Sequence, residues 1–491
     1  MLWYGPRVGS FTLFTPPGAA AGLLAALLVA SAPGAGGGAL PEQEREHPEI
    51  VLPVAETALR RDRLVDALRK ELGPAEKGLF LFSGAGESDL LEFRQSSDFF
   101  YLTGLETPGA ALLITFDAGA SSERLYLTPR DEEAEKWSGP GLAPGGTAAD
   151  GALPDDERLR TQRLTGLRGE AGSPGSGVRD RPALREDLSR LAGPGLVLFE
   201  PGEPGEEGGS GLGQDDLAAL QAPDGAPLRR ASARAALTRL RLVKSESERA
   251  AIRRAVEITC EGQRAAMRAL APGAMEFEIE AVVEYEFTRA GARFSAFPTI
   301  VGSGPNSCVL HYSRNSRRIE EGDLVVIDAG AEFGRYAADV TRTLPASGVF
   351  DPEQARIYAA VLEAQRAGID LARPGARIRD VNERVKSVLE ERGLDKHILH
   401  GCCHFVGLDV HDVGDRDVVL EPGMVLTVEP GLYIPEKGIG VRIEDTLLVT
   451  PEGNEILSAC VPKNLDEIRA EMALGGERPA LRSGASEARR P

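Results

Sequence analysis

The sequence predicts an α+β protein in which a smaller amino-terminal α/β domain precedes a larger domain made of two related α/β halves. Three observations predict this. A length of 491 residues, at about 100 to 200 residues per domain, gives two to three domains with room for a buried core. Short buried-strand patterns alternate with helical periodicity through the first half of the chain. Further on, Leu270-Ala271-Pro272-Gly273-Ala274 opens a helix that closes near Gly291, and 102 residues later Ala372-Arg373-Pro374-Gly375-Ala376 opens one that closes near Gly393. Such paired Pro and Gly punctuation reads as an internal duplication.

The elements follow in order. Residues 1–40 hold Arg7 and an apolar run from Ala19 to Ala32 that ends in Ala30-Ser31-Ala32, the pattern of a signal peptide. It implies an exported, periplasmic or secreted protein, with a cytoplasmic one as the alternative. The run is too short for a stable membrane span, which needs about 20 residues. A first domain, 48–232, begins with helical periodicity at Leu59, Leu64, Leu68 and Leu72 and reaches the strand pattern Gly78-Leu79-Phe80-Leu81-Phe82. Further strands are expected at Ala111–Phe116, Arg124–Thr128 and Leu196–Phe199. Gly169–Gly177 and Pro201–Gly213 are too rich in Gly, Pro, Ser and Glu to bury much and are expected as surface loops. A basic helical bridge, Arg229–Arg254, leads into the second domain, 240–470, and residues 471–491 are expected as a disordered tail.

Composition narrows the function. With 75 acidic against 56 basic residues the formal charge is -19, which repels nucleic acid. Five cysteines, all in the second half, make no disulfide framework.

The second domain carries the chemistry. Leu324–Gly330 is a buried-strand pattern ending on Asp328, and Tyr336–Thr343 is a second strand. A two-residue hairpin loop at Phe333-Gly334 would set Asp328 directly opposite Asp339, where like charges about 4.5 to 5.5 Å apart destabilise a sheet. The second half repeats the pattern around Pro435–Gly438 and sets Glu429 opposite Glu444, subject to a bulge at Pro430-Gly431. Of only six histidines, four fall at His311, His400, His404 and His411. Two Asp, two Glu and one His form a mainly oxygen ligand set for two divalent ions that activate a water. Such a set suits Mn²⁺ and does not exclude Zn²⁺, Co²⁺ or Fe²⁺.

These residues resemble a known family, the metallopeptidases of the pita-bread fold, and within it the Xaa-Pro aminopeptidases of the aminopeptidase P type. The resemblance rests on Ile327–Glu332, Ala338–Thr343, His400-Gly401-Cys402-Cys403-His404, Gly407–Asp412, Val428-Glu429-Pro430-Gly431 and Val441–Asp445, in the family's order, over about Lys244 to Cys460. Phe93–Gly104, Pro129-Arg130-Asp131 and Trp137-Ser138-Gly139-Pro140 are similar to its amino-terminal domain. The resemblance implies a carboxy-terminal pita-bread catalytic domain in which Asp328 binds one metal, Asp339 and Glu444 bridge two, and His404 and Glu429 complete the site. It further implies that Glu429 accepts the nucleophilic water's proton, that His311 and His411 hold the scissile carbonyl, and that His400 shapes the proline pocket. Arg442, on the strand face of Glu444, is expected to orient a ligand carboxylate.

The implied substrates are peptides with proline second, and the implied assembly is a homodimer or homotetramer. The alternatives are an Xaa-Pro dipeptidase, a metal-free pita-bread binding module and a creatinase-like amidinohydrolase. Cys402-Cys403 departs from the small hydroxyl residues that relatives often carry there. The acidic residue expected ahead of the aromatic-Arg-Gln motif falls near Asp89 in uncertain register.

Overall fold

The first domain is organised by β1 (Lys77–Ser83), whose six residues from Gly78 on are buried. This computed structural model describes residues 53–85, 93–129, 177–204, 214–220 and 228–475, with 131, 133, 136, 161 and 165–168. The signal-peptide segment, Asp89, Trp137–Pro140 and most of the two Gly-rich stretches lie outside the described residues.

Before β1 comes α1 (Val54–Leu68), and after it α2 (Ser97–Thr103), β2 (Ala111–Phe116) and β3 (Ser121–Leu127). Then follow β4 (Val178–Asp180), α3 (Ala183–Leu191), β5 (Leu196–Glu200), α4 (Gln214–Ala219) and β6 (Arg229–Ser232). The strands form one six-stranded sheet in the order β4-β3-β2-β1-β5-β6. Leu64, Val65 and Leu68 recur on one face of α1 at helical spacing and are buried there. Arg229–Ser232, expected at the start of a helix, is instead the edge strand, parallel to β5. Its side chains are half-buried or exposed, as suits an edge. Pro201 and Gly202, expected in a surface loop, are buried.

The second domain starts with α5 (Arg234–Leu242), α6 (Glu246–Ala269) and α7 (Glu276–Arg289). Ser245 and Glu248 form a reciprocal capping box that starts α6. The strands β7 (Phe294–Ser295), β8 (Ile300–Ser303), β9 (Leu324–Ala329), β10 (Ala331–Phe333), β11 (Tyr336–Ala337) and β12 (Val340–Pro345) complete the first half. The second half repeats the plan: α8 (Pro352–Leu371), α9 (Ile378–Glu391), β13 (Val425–Val428), β14 (Gly431–Ile434), β15 (Ile439–Arg442), β16 (Asp445–Thr450) and β17 (Gly453–Ile456). Helices α7 and α9 each run 14 residues, and each is preceded by a Gly with φ near 90°, Gly273 and Gly375. The duplication is therefore real, and the left-handed glycines are what its two turns require.

In both halves a hairpin is broken at the same place. In the first, β9 pairs with β12, and beyond a break β10 pairs with β11. In the second, β13 pairs with β16, and beyond a break β14 pairs with β15. At the first break the backbones approach so closely that a Cβ on Gly330 would lie 1.8 Å from the Ala338 carbonyl. Only glycine fits there.

The first hairpin's register differs from expectation. The turn is Gly334-Arg335, with φ of 59° and 73°, and Asp328 faces Thr341, not Asp339. Both central residues have the positive φ of a type I′ loop. A non-glycine residue pays for that geometry unless held, and Arg335 is held by Glu106 at 2.8 Å and the Gln95 carbonyl at 2.7 Å, both in the first domain. The shift is two residues, so Asp339 stays on the face of Asp328 as its diagonal neighbour. In the second hairpin no bulge intervenes, and the register is continuous on both sides of the break where Glu429 and Glu444 sit.

The start of the expected tail is ordered instead, while residues 476–491 lie outside the described residues. The last helix, α10 (Leu465–Ala473), extends beyond 471, and Glu471 is buried against Arg264 and Arg268. Cys260 of α6 is joined by a disulfide to Cys460, so the odd cysteine count concealed one bridge. Among the described residues no helix is long and apolar enough to cross a membrane.

Candidate metal centre and active site

The breaks in the two hairpins place the acidic side chains. Asp328 is the last but one residue of β9, the central strand between β8 and β12. Asp339 lies between β11 and β12, Glu429 between β13 and β14, and Glu444 between β15 and β16. Carboxylates placed where paired strands part can turn toward one another across the two halves. Asp339, His404 and Glu444 offer ligand atoms within 4.8 Å of one another. His404 Nε2 is 3.4 Å from Asp339 Oδ2 and 3.4 Å from Glu429 Oε1.

Electrostatically this is a strained arrangement. Burial, then the charges of Asp328 and Glu429, pushes the Asp339 carboxyl well above the usual carboxylate range. Burial, then Asp339 and Glu429, does the same to Glu444. Asp328 Oδ1, Asp339 Oδ1 and Glu444 Oε1 are buried without a hydrogen-bond partner, although buried carboxylate oxygens are normally satisfied. Asp339 and Glu444, grouped with the His404 imidazole, with Asp328 in the same cleft, are a donor set that fits a divalent cation.

The neighbouring side chains orient these groups. His404 Nδ1 donates to the Phe405 carbonyl at 3.0 Å, which turns Nε2 toward the carboxylates. Thr341 donates to Glu444 Oε2 at 2.7 Å. Arg442 donates to Asp328 Oδ2 at 2.6 Å and to the Tyr433 hydroxyl oxygen at 2.9 Å. Tyr433, its oxygen so occupied, donates to His400 Nε2 at 2.8 Å, and His400 Nδ1 donates to the Gly401 carbonyl at 2.8 Å. One chain of hydrogen bonds thus runs from Asp328 to His400.

All nine residues singled out in the sequence, Asp328, Asp339, His404, Glu429, Glu444, His311, His400, His411 and Arg442, line one cleft of about 570 Å³. Phe297, Pro298, Ile300 and Leu310 form its apolar wall. The rings of His404 and His411 are 4.4 Å apart by centroid, and those of His411 and His311 6.4 Å. Burial and the two other imidazoles lower the pKa of His411, so it is neutral at pH 7.

Sequence reasoning missed Tyr433 and Glu276. Fully buried at the start of α7, Glu276 accepts from Ser303 N at 2.8 Å, Ser303 Oγ at 2.7 Å, Tyr312 Oη at 2.9 Å and Arg317 N at 2.7 Å. It pins both ends of the loop that carries His311. In the sequence it reads only as an acidic residue in a helix's first turn. The opposite side of the cleft is braced through Arg241, which reaches Asp98, Asp409 and Asp412, while Lys244 pairs with Asp412 at 2.9 Å. His411 sits between those last two acids.

Duplicated halves that converge carboxylates and an imidazole on a cleft define a metal-dependent hydrolase. Residues 250–451 match the model of metallopeptidase family M24, and residues 57–151 match the aminopeptidase P amino-terminal domain. The Xaa-Pro aminopeptidase of Haemophilus influenzae is 36% identical over 406 residues, 77% of this chain and 87% of that protein. The Escherichia coli Xaa-Pro aminopeptidase is 38% identical over 417 residues, 77% of this chain and 89% of that protein. Among solved structures, proline aminopeptidase P II from Yersinia pestis superposes with a TM-score of 0.74 at 34% identity, covering 86% of this chain and 100% of that one. Zinc-substituted E. coli aminopeptidase P in complex with product gives 0.75 at 33% identity, over 87% and 100%. The chain belongs to metallopeptidase family M24, in the pita-bread fold and in the branch of the Xaa-Pro aminopeptidases.

Proposed function

We propose that this enzyme removes the first residue from peptides with proline in the second position, using two divalent ions, preferably Mn²⁺. The observation that carries the reading is the convergence of Asp339, His404 and Glu444 within 4.8 Å, with carboxylate oxygens of Asp339, Glu444 and the cleft neighbour Asp328 buried and unpartnered. Asp328 would hold one ion, Asp339 and Glu444 would bridge, and His404 and Glu429 would complete the site. Ions bound there acidify water and polarise the scissile carbonyl.

The protein's own groups supply the rest. The Glu429 carboxylate accepts the attacking water's proton and returns it to the prolyl nitrogen, which as a tertiary amide carries none of its own. His411, its pKa lowered, and His311 present ring N–H donors to the developing oxyanion. His400, held by Tyr433, and the apolar wall at Phe297 and Leu310 receive the pyrrolidine ring. Turnover of a proline-second tripeptide and dipeptide by metal-analysed protein tests the reading. Tripeptide cleavage is expected, and cleavage of dipeptides alone would make the enzyme an Xaa-Pro dipeptidase.

The same reading includes export and a homodimer or homotetramer. The Ala19–Ala32 run and the Cys260–Cys460 disulfide, which suits an oxidising compartment, support export. Exposed Val309 and Leu399, next in sequence to cleft residues Leu310 and His400, support a subunit contact at the rim. Amino-terminal sequencing of the natural protein tests the first, and light scattering the second.

A further inference from the structure

Two thiols stand beside the catalytic cleft without a part in the chemistry described. Cys403 lines the cleft, while Cys402 lines a second cavity of about 430 Å³ behind it, shared with Asn382, His400 and Gly431. The pair is thus the partition between two cavities, and its sulfurs are 3.5 Å apart.

That spacing selects among the things two thiols can do. Adjacent residues have Cα atoms about 3.8 Å apart across a trans peptide, below the roughly 4.4 to 6.8 Å that a disulfide spans. Direct closure would twist the 402–403 peptide, whose Cys402 carbonyl accepts the Glu429 N–H at 2.8 Å. Two sulfurs bound to one soft centre at about 2.3 Å, with a bond angle of roughly 95° for a pyramidal ion to 110° for a tetrahedral one, lie about 3.4 to 3.8 Å apart, which spans the separation present. Soft sulfur ligands also discriminate against the hard ions that suit the neighbouring carboxylates.

We propose that Cys402 and Cys403 form a bidentate site for a thiophilic centre, in particular a trivalent arsenical, positioned to block the cleft. With a hydrated arsenoxide, two As–S bonds form as two As–O bonds break. Each thiol proton leaves with a hydroxide as water, and no atom changes oxidation state. The adduct occupies space next to His404 and excludes substrate.

The probe is phenylarsine oxide, added to the full-length, metal-loaded protein. Intact mass is expected to show one adduct per chain, and peptide mapping to place it on Cys402-Cys403. Cys402→Ala and Cys403→Ala should each abolish it, and Cys308→Ala should leave it. Peptide turnover should fall at least 10-fold and return with a dithiol but not with a monothiol. No adduct, an adduct mapped elsewhere, a Cys402–Cys403 disulfide in its place, or an adduct that leaves turnover intact would each overturn the proposal. The mass readout does not depend on the peptidase reading, so failure of one is distinguishable from failure of the other.

Discussion

Arg442 donates to Asp328 at 2.6 Å, and this contact joins the second half of the duplicated domain to the first. Asp328 has one oxygen committed to Arg442 and one buried and unpartnered, so the guanidinium decides which oxygen faces the cleft. The same fork holds Tyr433 and, through it, His400. A lysine keeps the charge but has no planar fork to reach both partners. Arg442→Lys is therefore expected to lower metal affinity and kcat/KM by about 10- to 100-fold. Calorimetric titration with Mn²⁺ beside peptide kinetics checks it; wild-type affinity in the variant would show that Asp328 needs no such partner.

Asp339 is buried among like charges, so without metal its ionised form costs the fold free energy. Asp339→Asn should make the metal-free protein at least as stable as the wild type while abolishing hydrolysis. Wild type should gain about 3 kcal/mol at a metal concentration 100 times Kd, and the variant much less. Thermal unfolding with and without Mn²⁺ reads both effects. A metal-dependent rise in Tm equal to that of wild type would remove Asp339 from the centre.

Glu276 acts on His311 through the loop that it pins, so its influence should appear in catalysis as well as in stability. Glu276→Gln puts an amide NH₂ against groups that are themselves donors, from Ser303, Tyr312 or Arg317. Loss of charged, buried hydrogen bonds is expected to cost about 2 to 4 kcal/mol. If His311 binds the oxyanion, kcat should fall more than KM rises, and Glu276→Asp should recover part of kcat. A variant that is destabilised but has wild-type kcat at low temperature would limit Glu276 to scaffolding.

Asp412 gives a pH-dependent prediction. Burial raises its pKa, but Lys244 and Arg241 outweigh burial and hold it below the ordinary 3.8. A carboxylate depressed in the folded state adds stability above its unfolded pKa and loses it as pH falls through the folded value. Asp412→Asn strands the buried Lys244 and should cost about 3 to 5 kcal/mol near neutrality. The gap between the two proteins should begin to narrow below about pH 4, near the ordinary aspartate pKa, and keep narrowing toward the lower folded value. Denaturant unfolding from pH 3 to 7 measures it; a pH-independent gap would contradict the ion pair.

Local pattern made the duplication legible, because Pro-Gly turns and 14-residue amphipathic helices leave a period in the chain. The acidic pairs were legible for a similar reason. Side chains on one strand face keep their parity, so the two-residue register error at Asp328 and Asp339 left both pointing into the same cleft. What escaped was non-local. The turn at Gly334-Arg335 depends on Glu106 and Gln95 of the other domain, more than 220 positions earlier. The Cys260–Cys460 bridge spans 200 residues, and an odd count of cysteines gives no clue to which two meet.

From residue order alone came the kinds of ligand, their strands and the two-halved plan, since periodicity and side-chain chemistry are properties of short segments. The folded chain settled which oxygens are left unpartnered, which ring nitrogen of His404 faces the carboxylates and which buried acids hold the His311 and His411 loops. Each of these depends on distances of about 3 Å between groups far apart in sequence, and such distances exist only once both halves and the amino-terminal sheet have packed.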